Sequence, residues 1–407
     1  MKKSIKIILI VAIALAVLLL GYFIYLIVSP ESRPWYPDYN INENTNGAVL
    51  PNSNEATNQP LVNTNVNTGL PGIDKIAQGG LTLTNNVVNN TANASMSNDG
   101  QTISYYNGSD GMFYKVVAGS EPVALTDDFY KGAENVTFSP DSDKAIIEFP
   151  DGTNVMYDFQ KKKQYSLPKE MEDFSFDFTG DRMAFKYMGQ GEFDRWYATA
   201  NPDGTGVNAV DLLGNNGDKV TIDWSPAGQV VGHWWEAKEG LKLEIKFLGE
   251  HDENFASTIT EGIGFVGQWT TNGEKLLYSV SSVDSGLRPE LWIVNASPGN
   301  IGRERINLGV RTWADKCTVN GSSTIAYCAV PINLDNGAGI ARDVADDNVD
   351  EIYKIDLINN IRTKVAMPTN SSNSIGYTIE KMFINEDESE LYFVENGNGS
   401  LNSINLK

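Results

Sequence analysis

The sequence predicts an all-β fold of seven four-stranded blades that close into a β-propeller, preceded by one transmembrane helix and a disordered linker. Three observations predict this fold. A short turn motif recurs at intervals of about 40–50 residues, β-rich segments follow each copy, and aromatic residues and glycines are abundant. Aromatic residues make up 10% of the chain, which also contains 37 glycines. This composition is typical of proteins built from strands and tight turns.

The first 28 residues predict a membrane anchor. An uncharged run extends from Ile7 to Val28, and as a helix it would be about 33 Å long, enough to cross a bilayer. The alternatives are a buried helix and a cleaved signal peptide, but the Ala-x-Ala patterns lie in the middle of the run. Lysines precede the run and none follows it directly, which predicts a cytoplasmic N-terminus and a propeller outside the cell membrane.

Residues 29–78 predict a disordered linker, because this stretch is rich in Asn, Thr and Pro and has no periodic apolar pattern. Such a segment buries too little apolar surface to offset the entropy lost on ordering. We therefore assign the folded part of the chain to residues 79–407.

The turn motif defines the blades. Its clearest copies are Phe138-Ser-Pro-Asp141, Trp224-Ser-Pro-Ala-Gly228 and Trp269-Thr-Thr-Asn-Gly273, in which Pro, Asp or Asn, and Gly suit successive positions of a tight hairpin. The aromatic residue that opens each copy is expected to pack between blades. Four less regular copies are Met96–Gly100, Phe178–Asp181, Val319–Ser323 and Ile384–Asp387.

The ends of the chain predict how the ring closes. The last copy is followed by too few residues for a complete blade, whereas a spare strand, Gly80–Thr84, precedes the first copy. We expect this strand to complete blade seven, because closure removes the exposed sheet edges of a linear array. The alternative, two separate β-domains, leaves both loose ends without a partner.

These hairpins resemble the WD-like repeats of TolB-like propellers and the propeller domains of prolyl oligopeptidases and dipeptidyl peptidases. The resemblance covers residues 79–407 and implies a binding scaffold, and it carries over no catalytic residue. Two departures are evident. TolB-like proteins have a small α/β domain where this chain has an anchor and a linker, and the α/β-hydrolase domain of the peptidases has no counterpart here.

Composition narrows the range of partners and catalytic sites that the chain can have. A formal charge of −21 repels phosphate backbones, so we expect no nucleic-acid partner. The chain has two histidines, His233 and His251, and neither a Gly-x-Ser-x-Gly nor a zinc-binding spacing. We expect His233 to be a packed strand residue, and we expect no cofactor.

Binding is expected on the face that carries the loops between the second and third strands of each blade, here called the loop-rich face. These loops lengthen in blade three (188–194), blade five (281–289) and blade six (333–349), and long loops on a rigid scaffold tend to carry function. The blade-six loop is expected to be dispensable for folding. Its acidic residues form a solvated loop or, less in keeping with their spacing, a calcium site. The candidate contact residues are Arg195, Trp196, Arg288, Arg342, Asp343, Asp346 and Asp347.

The expected partner is an envelope protein, a peptide or a glycan, bound by a monomer. An alternative function is that of an extracytoplasmic propeller-type enzyme, such as a lyase, lactonase or glycosidase. Convergent carboxylates in the central channel would favour that alternative.

The two cysteines, Cys317 and Cys328, predict a disulfide. A hairpin centred between Ser322 and Ser323 places them directly opposite each other, whereas a turn on Asn320-Gly321 would separate them by roughly 13 Å. The oxidising compartment implied by the predicted topology favours the bond.

Overall fold

The computed structural model describes residues 72–117, 119–345, 348–370 and 376–407. In this part of the chain, the predicted all-β propeller of seven four-stranded blades is confirmed. The predicted transmembrane helix and the linker up to residue 71 lie outside the described residues. Within the described ranges, none of the helices has the length and apolarity needed to span a bilayer.

In blades one to six, four consecutive strands form an antiparallel sheet from the channel to the rim, and in blade seven three consecutive strands do so. Two strands, β1 (Leu81–Leu83) and β2 (Asn85–Val88), precede blade one. Blade one contains β3 (Thr91–Met96), β4 (Thr102–Asn107), β5 (Met112–Val117) and β6 (Val123–Ala124). Blade two contains β7 (Asn135–Phe138), β8 (Lys144–Glu148), β9 (Asn154–Asp158) and β10 (Lys163–Leu167). Blade three contains β11 (Met171–Phe176), β12 (Met183–Met188), β13 (Arg195–Ala200) and β14 (Asn208–Leu212).

The remaining blades are built in the same way. Blades four to seven contain β15 (Val220–Ile222), β16 (Val230–Lys238), β17 (Lys242–Gly249) and β18 (Thr258–Ile259); β19 (Ile263–Trp269), β20 (Lys275–Ser281), β21 (Pro289–Asn295) and β22 (Ile306–Asn307); β23 (Cys317–Val319), β24 (Ile325–Pro331), β25 (Asp350–Asp356) and β26 (Ile361–Thr369); and β27 (Ile379–Ile384), β28 (Glu390–Glu395) and β29 (Leu401–Asn405). One short helix, α1 (Arg342–Ala345), and 3-10 turns at Glu192–Asp194, Gly217–Lys219 and Ala314–Lys316 interrupt the loops of this described region.

The core lies between blades. Seven clusters of buried apolar side chains each join two neighbouring blades around the ring. The predicted core positions of Trp224 and Trp269 are confirmed. In blade three the expected aromatic residue, Phe178, is 48% exposed, and Phe176 is buried instead. The reason is that Asp177 caps the turn, so the motif begins two residues earlier than its sequence suggests.

On the face opposite the loop-rich face, turns between the first and second strands hydrogen-bond to turns of neighbouring blades. For example, the backbone N–H of Asn98 donates to Pro140 O at 2.7 Å, and that of Glu386 donates to Gly100 O at 3.1 Å. Each turn has one residue with positive φ, a conformation that favours glycine. These seven residues are Gly100, Ser142, Gly180, Gly228, Gly273, Ser323 and Glu388.

The ring closes by joining the two ends of the described chain, as predicted, but the strand that completes blade seven is different. Strand β2 pairs with β29 and supplies the fourth strand. The predicted strand, Gly80–Thr84, forms β1, which adds to the outer strand β26 of blade six as a parallel fifth strand. The prediction was wrong because Asn85 and Asn86 have low strand propensity, so the apolar alternation of the preceding segment was the stronger signal.

Hydrogen bonding to the blades begins before the predicted boundary at residue 79. The N–H of Asp74 donates to Leu81 O at 2.9 Å, and the N–H of Ala77 donates to Asn405 O of blade seven at 2.8 Å. The N–H of Gly79 donates to Val365 O of blade six at 2.7 Å. This segment therefore bonds to two neighbouring blades.

Cys317 and Cys328 pair directly across the hairpin of β23 and β24. Their Cα atoms are 4.0 Å apart, and a disulfide joins their sulfur atoms. The register is the one centred between Ser322 and Ser323. The side chain of Asn320 fixes it, because its Oδ1 accepts the N–H groups of Thr324 and Ile325.

Candidate functional site

In each blade, a residue near the end of the inner strand or directly after it lines a cavity of about 770 Å³ in the central channel. This residue directly precedes the side chain that packs between blades, and it faces the channel because side chains alternate along a strand. Most members of this set, here called the channel ring, are polar. In blade order they are Ser95, Thr137, Ser175, Asp223, Gln268, Thr318 and Phe383.

Asp223 is the one residue of the channel ring that carries a charge. Its backbone is engaged, since its N–H donates to Val231 O and its carbonyl accepts the indole N–H of Trp269 at 3.1 Å. Among the described residues, no donor or cation pairs with its carboxylate. Protein encloses this half-buried side chain, and burial, reinforced by the negative charge of Asp173, raises the pKa of Asp223 to about 7.

The neighbouring carboxylate, Asp173, is fully engaged. It lies 2.9 Å from the ammonium of Lys186 and accepts the backbone N–H of Ile222 at 3.0 Å. Asp173 therefore ties blade three to blade four, whereas Asp223 is left to face the channel.

His233 lies beside Asp223 in blade four. It is 3% exposed, and its ring packs edge-on against Phe265 with centroids 5.1 Å apart, so the expectation of a packed strand residue is confirmed. His233 nevertheless lines the channel cavity, and its Nδ1 is buried without a hydrogen-bond partner. Burial lowers the pKa of His233 to about 4, so the imidazole is neutral near pH 7.

Gln268 completes this side of the channel from blade five. Its amide nitrogen donates to Cys317 O at 3.0 Å, and its amide oxygen is buried without a partner. An ionised carboxylate accepts hydrogen bonds only, and a neutral imidazole has one acceptor nitrogen. Asp223, His233 and Gln268, here called the acceptor wall, each have a polar side-chain atom without a hydrogen-bond partner among the described residues.

Lys381 projects into the channel from blade seven. Its ammonium donates to Ala94 O at 3.1 Å and lies 5.5 Å from the ring centroid of Phe383. Protein surrounds the ammonium, and this burial lowers the pKa of Lys381, although water in the channel still reaches the side chain.

A second cavity of about 440 Å³ lies on the loop-rich side of the channel. It shares Asp315 and Lys381 with the first cavity, so the two adjoin. We call this cavity the channel mouth. Its lining residues are Asp315, Arg342, Ile379, Glu380, Lys381 and Asn396.

Of the predicted contact residues, Arg342 lies at the channel mouth. Its guanidinium donates to Asp315 Oδ2 at 2.7 Å and lies 4.9 Å from the ring centroid of Trp313. Asp343 follows it in α1 and is exposed. Asp346 and Asp347 lie outside the described residues.

The structure places the other predicted residues elsewhere. Arg195 donates to Gly189 O at 3.2 Å, and Trp196 donates to Phe193 O at 3.2 Å, so both brace their own loop in blade three. Arg288 donates to Leu334 O at 2.8 Å and links the loops of blades five and six. These three residues do not line the channel mouth.

Two alanines of the blade-six loop pack against the body of the protein, whereas most of its described residues are exposed or half-buried. That folding does not need this loop stays a prediction. Ala338 and Ala345 bury Trp313, which is 3% exposed. The N–H of Gly337 donates to Gly286 O, and the N–H of Gly339 donates to Leu287 O, each at 2.9 Å. These contacts fix the position of Arg342.

The described residues contain no group of three or more His, Cys, Asp or Glu side chains arranged to hold a metal ion. One carboxyl group in the channel, that of Asp223, has a pKa that is raised to about 7.

No protein-family model matches the chain, and no curated protein matches its sequence. Among solved structures, the β-propeller domain of Cps50 (Swd1) from Myceliophteria thermophila has a TM-score of 0.51 at 11% identity, covering 80% of this chain and 100% of that chain. An oligogalacturonate lyase from Vibrio parahaemolyticus has a TM-score of 0.49 at 9% identity, covering 80% and 93% of the two chains. Hydrazine synthase from Kuenenia stuttgartiensis has a TM-score of 0.49 at 12% identity, covering 77% and 94%. The first similarity shows the fold alone: the chain folds as a β-propeller.

Proposed function

We propose that this chain is an interaction scaffold, anchored in the cell membrane through residues 1–28, whose protein, peptide or glycan partner docks outside the cytoplasm at the channel mouth. The observation that carries the proposal is the position of Arg342. The packed blade-six loop holds it beside Asp315, in a cavity of about 440 Å³ that also contains Glu380 and Lys381. Charged side chains gathered in a concave site suit recognition of a polar partner.

The contrast between the two faces supports this choice. On the opposite face, short turns bond to one another from blade to blade, as in the bond from the N–H of Asn272 to Ser323 Oγ at 2.9 Å. The loop-rich face instead carries loops of different length in each blade. Rigid, pre-positioned side chains lose less entropy on binding than mobile ones, and Arg342 is held in place by its contacts with Asp315 and Trp313.

Site-specific photo-crosslinking in native membranes tests the proposal. A photoreactive residue is placed at Asp343, beside the channel mouth, in the full chain. The matched control is Ile358, which is 72% exposed on a turn of the opposite face. We expect a discrete crosslinked product from position 343 and none from position 358. The same product from both positions, or a product from position 358 alone, would contradict docking at the mouth.

The enzyme alternative is favoured by one observation, the carboxyl group of Asp223. Burial and the nearby charge of Asp173 raise its pKa to about 7, which is the range suited to a general acid or base. The test is turnover of polysaccharide and lactone substrates by the full chain and by the Asp223→Asn variant. Turnover that the substitution abolishes would support a lyase, lactonase or glycosidase, and equal turnover by both would exclude Asp223 as a catalytic residue.

A further inference from the structure

The acceptor wall contains polar atoms that lack a hydrogen-bond partner among the described residues. His233 Nδ1 and Gln268 Oε1 are buried without partners, and the carboxylate of Asp223 has none among the described residues. Buried polar groups in folded proteins are nearly always hydrogen-bonded, and exceptions call for an explanation. The three groups line one cavity and come from adjacent blades.

We propose that the acceptor wall binds an organic cation, either an ammonium or a guanidinium group, that enters the channel from the loop-rich face. This inference rests on the proposed function and names the chemical group that the ligand places in the channel. An ammonium has three N–H donors and a guanidinium has five. Either group can therefore pair with the carboxylate of Asp223 and donate to both of its oxygens.

Charge favours a cation over an anion or a neutral ligand. Asp173 is neutralised by Lys186 at 2.9 Å, so the ionised carboxylate of Asp223 is the uncompensated charge on this side of the channel. A hydrogen bond between two ionised groups is about twice as strong as one between neutral groups. An anion would be repelled by Asp223, and a neutral alcohol would gain no charge pairing.

The surrounding groups make the site dependent on pH. The charged or titratable side chains that face the acceptor wall or the channel beside it are Asp173, Lys186, His233, Asp315 and Lys381. The low pKa of His233, about 4, keeps its imidazole neutral from pH 5 to 8. Asp223, with its pKa of about 7, is protonated as the pH falls through that value. Binding of a cation should therefore weaken from pH 8 to pH 5.

The cation has two chemical sources, a small free amine or a basic side chain of a partner. The experiment uses isothermal titration calorimetry of the full chain in detergent micelles at pH 8, with 1,4-diaminobutane as one probe and the peptide acetyl-Gly-Lys-Gly-amide as the other. Binding of the diamine alone points to a free amine, and binding of the peptide points to a side chain. Both results support the proposal. 1,4-butanediol is the neutral control, and binding equal to that of the diamine would overturn it.

Three variants locate the site. Asp223→Asn should reduce affinity for the bound probe about tenfold or more. Lys381→Met should increase affinity, because it removes a positive charge from the same cavity. Thr363→Val, at an exposed position of the outer strand β26 and outside both cavities, should leave affinity unchanged.

Thermal unfolding of each variant shows whether the fold is retained. If Asp223→Asn fails to fold, two other measurements still decide the question. They are the increase in affinity expected for Lys381→Met and the decrease in affinity expected as the pH is lowered from 8 to 5. Binding of neither probe at pH 8, or equal binding by wild type and Asp223→Asn, would overturn the proposal. Crosslinking at position 343 is independent of the acceptor wall, so failure of the docking proposal would be seen separately.

Discussion

The ammonium of Lys316 lies 2.8 Å from both carboxylate oxygens of Asp350, and the two side chains are 2% and 0% exposed. Asp350 also accepts the backbone N–H of Ile379, the first residue of β27, at 2.6 Å. This buried ion pair therefore connects the inner strand of blade seven to blade six.

Replacing Lys316 with Met should lower the free energy of unfolding by about 3–5 kcal/mol, because the variant leaves a buried carboxylate without its cation. Chemical denaturation of the full chain measures the change. The control is Lys169→Met. Its ammonium is 3.6 Å from Asp151 at the surface, and solvent-exposed pairs contribute little. Equal effects of the two substitutions would show that the Lys316–Asp350 pair does not stabilise the fold.

Asp223→Asn should stabilise the fold at high pH and leave it nearly unchanged at low pH. The pKa of Asp223 in the folded protein, about 7, is above the ordinary value of 3.8, so the folded state holds this proton more tightly than the unfolded state. The stabilisation that comes from this tighter proton binding is complete below pH 4, falls as the pH rises to 7 and stays low above pH 7.

The expected gain for Asp223→Asn is about 1–3 kcal/mol at pH 8, since each pKa unit corresponds to about 1.4 kcal/mol and water in the channel screens part of it. Denaturation at pH 4 and pH 8 measures it, with the exposed Asp343→Asn variant as the control. A gain of equal size at both pH values would show that ionisation of Asp223 is not its cause.

Reduction of the Cys317–Cys328 disulfide should cost roughly 2–3 kcal/mol of stability, because the bond closes a short loop, with a sequence separation of 11. Intact mass should rise by about 2 Da on reduction, and the Cys317→Ala/Cys328→Ala variant should unfold at a lower temperature. Two thiols that alkylate freely in the oxidised, native protein would show that the bond does not form.

Two N-terminal truncations should differ sharply in stability. A chain starting at Asn85 keeps β2 and loses the parallel fifth strand of blade six and the bonds of residues 74–79 to blades six and seven, so its melting temperature should fall modestly. A chain starting at Thr91 also loses β2 and leaves blade seven with an unpaired edge at β29, so it should unfold at a much lower temperature or aggregate. If the two truncations prove equally stable, β2 does not close the ring in solution.

Much of the fold could be predicted because its signals are local. A turn of four or five residues encodes each hairpin, and its spacing encodes the number of blades. Hairpin symmetry gave two registers for Cys317 and Cys328, and the register that places them opposite each other is the one in the structure. The choice between β1 and β2 could not be predicted, because it depends on pairing with strands at the other end of the chain.

The acceptor wall was missed for a related reason. Asp223 and Gln268 come from different blades, and the ring brings them to one side of the channel. One signal was present in the sequence: each residue directly precedes a tryptophan that opens a turn motif. Charge and loop length instead predicted Arg195 and Trp196 as contact residues. The sequence does not reveal that these two side chains hydrogen-bond to their own loop.

The pairing of β2 with β29 also determines when folding can finish. Asn86 and Asn402, which hydrogen-bond across this pair, are 316 residues apart. During synthesis from the N-terminus, β2 emerges early and has no partner until β29 (Leu401–Asn405) has left the ribosome. Until then the edges of β2 and β29 are both unpaired, and β29 can pair with β2 of another copy as well as with β2 of its own chain. Slow translation of the C-terminal blades or high local concentration should therefore promote strand exchange between copies, with dimers that are trapped once both rings have closed.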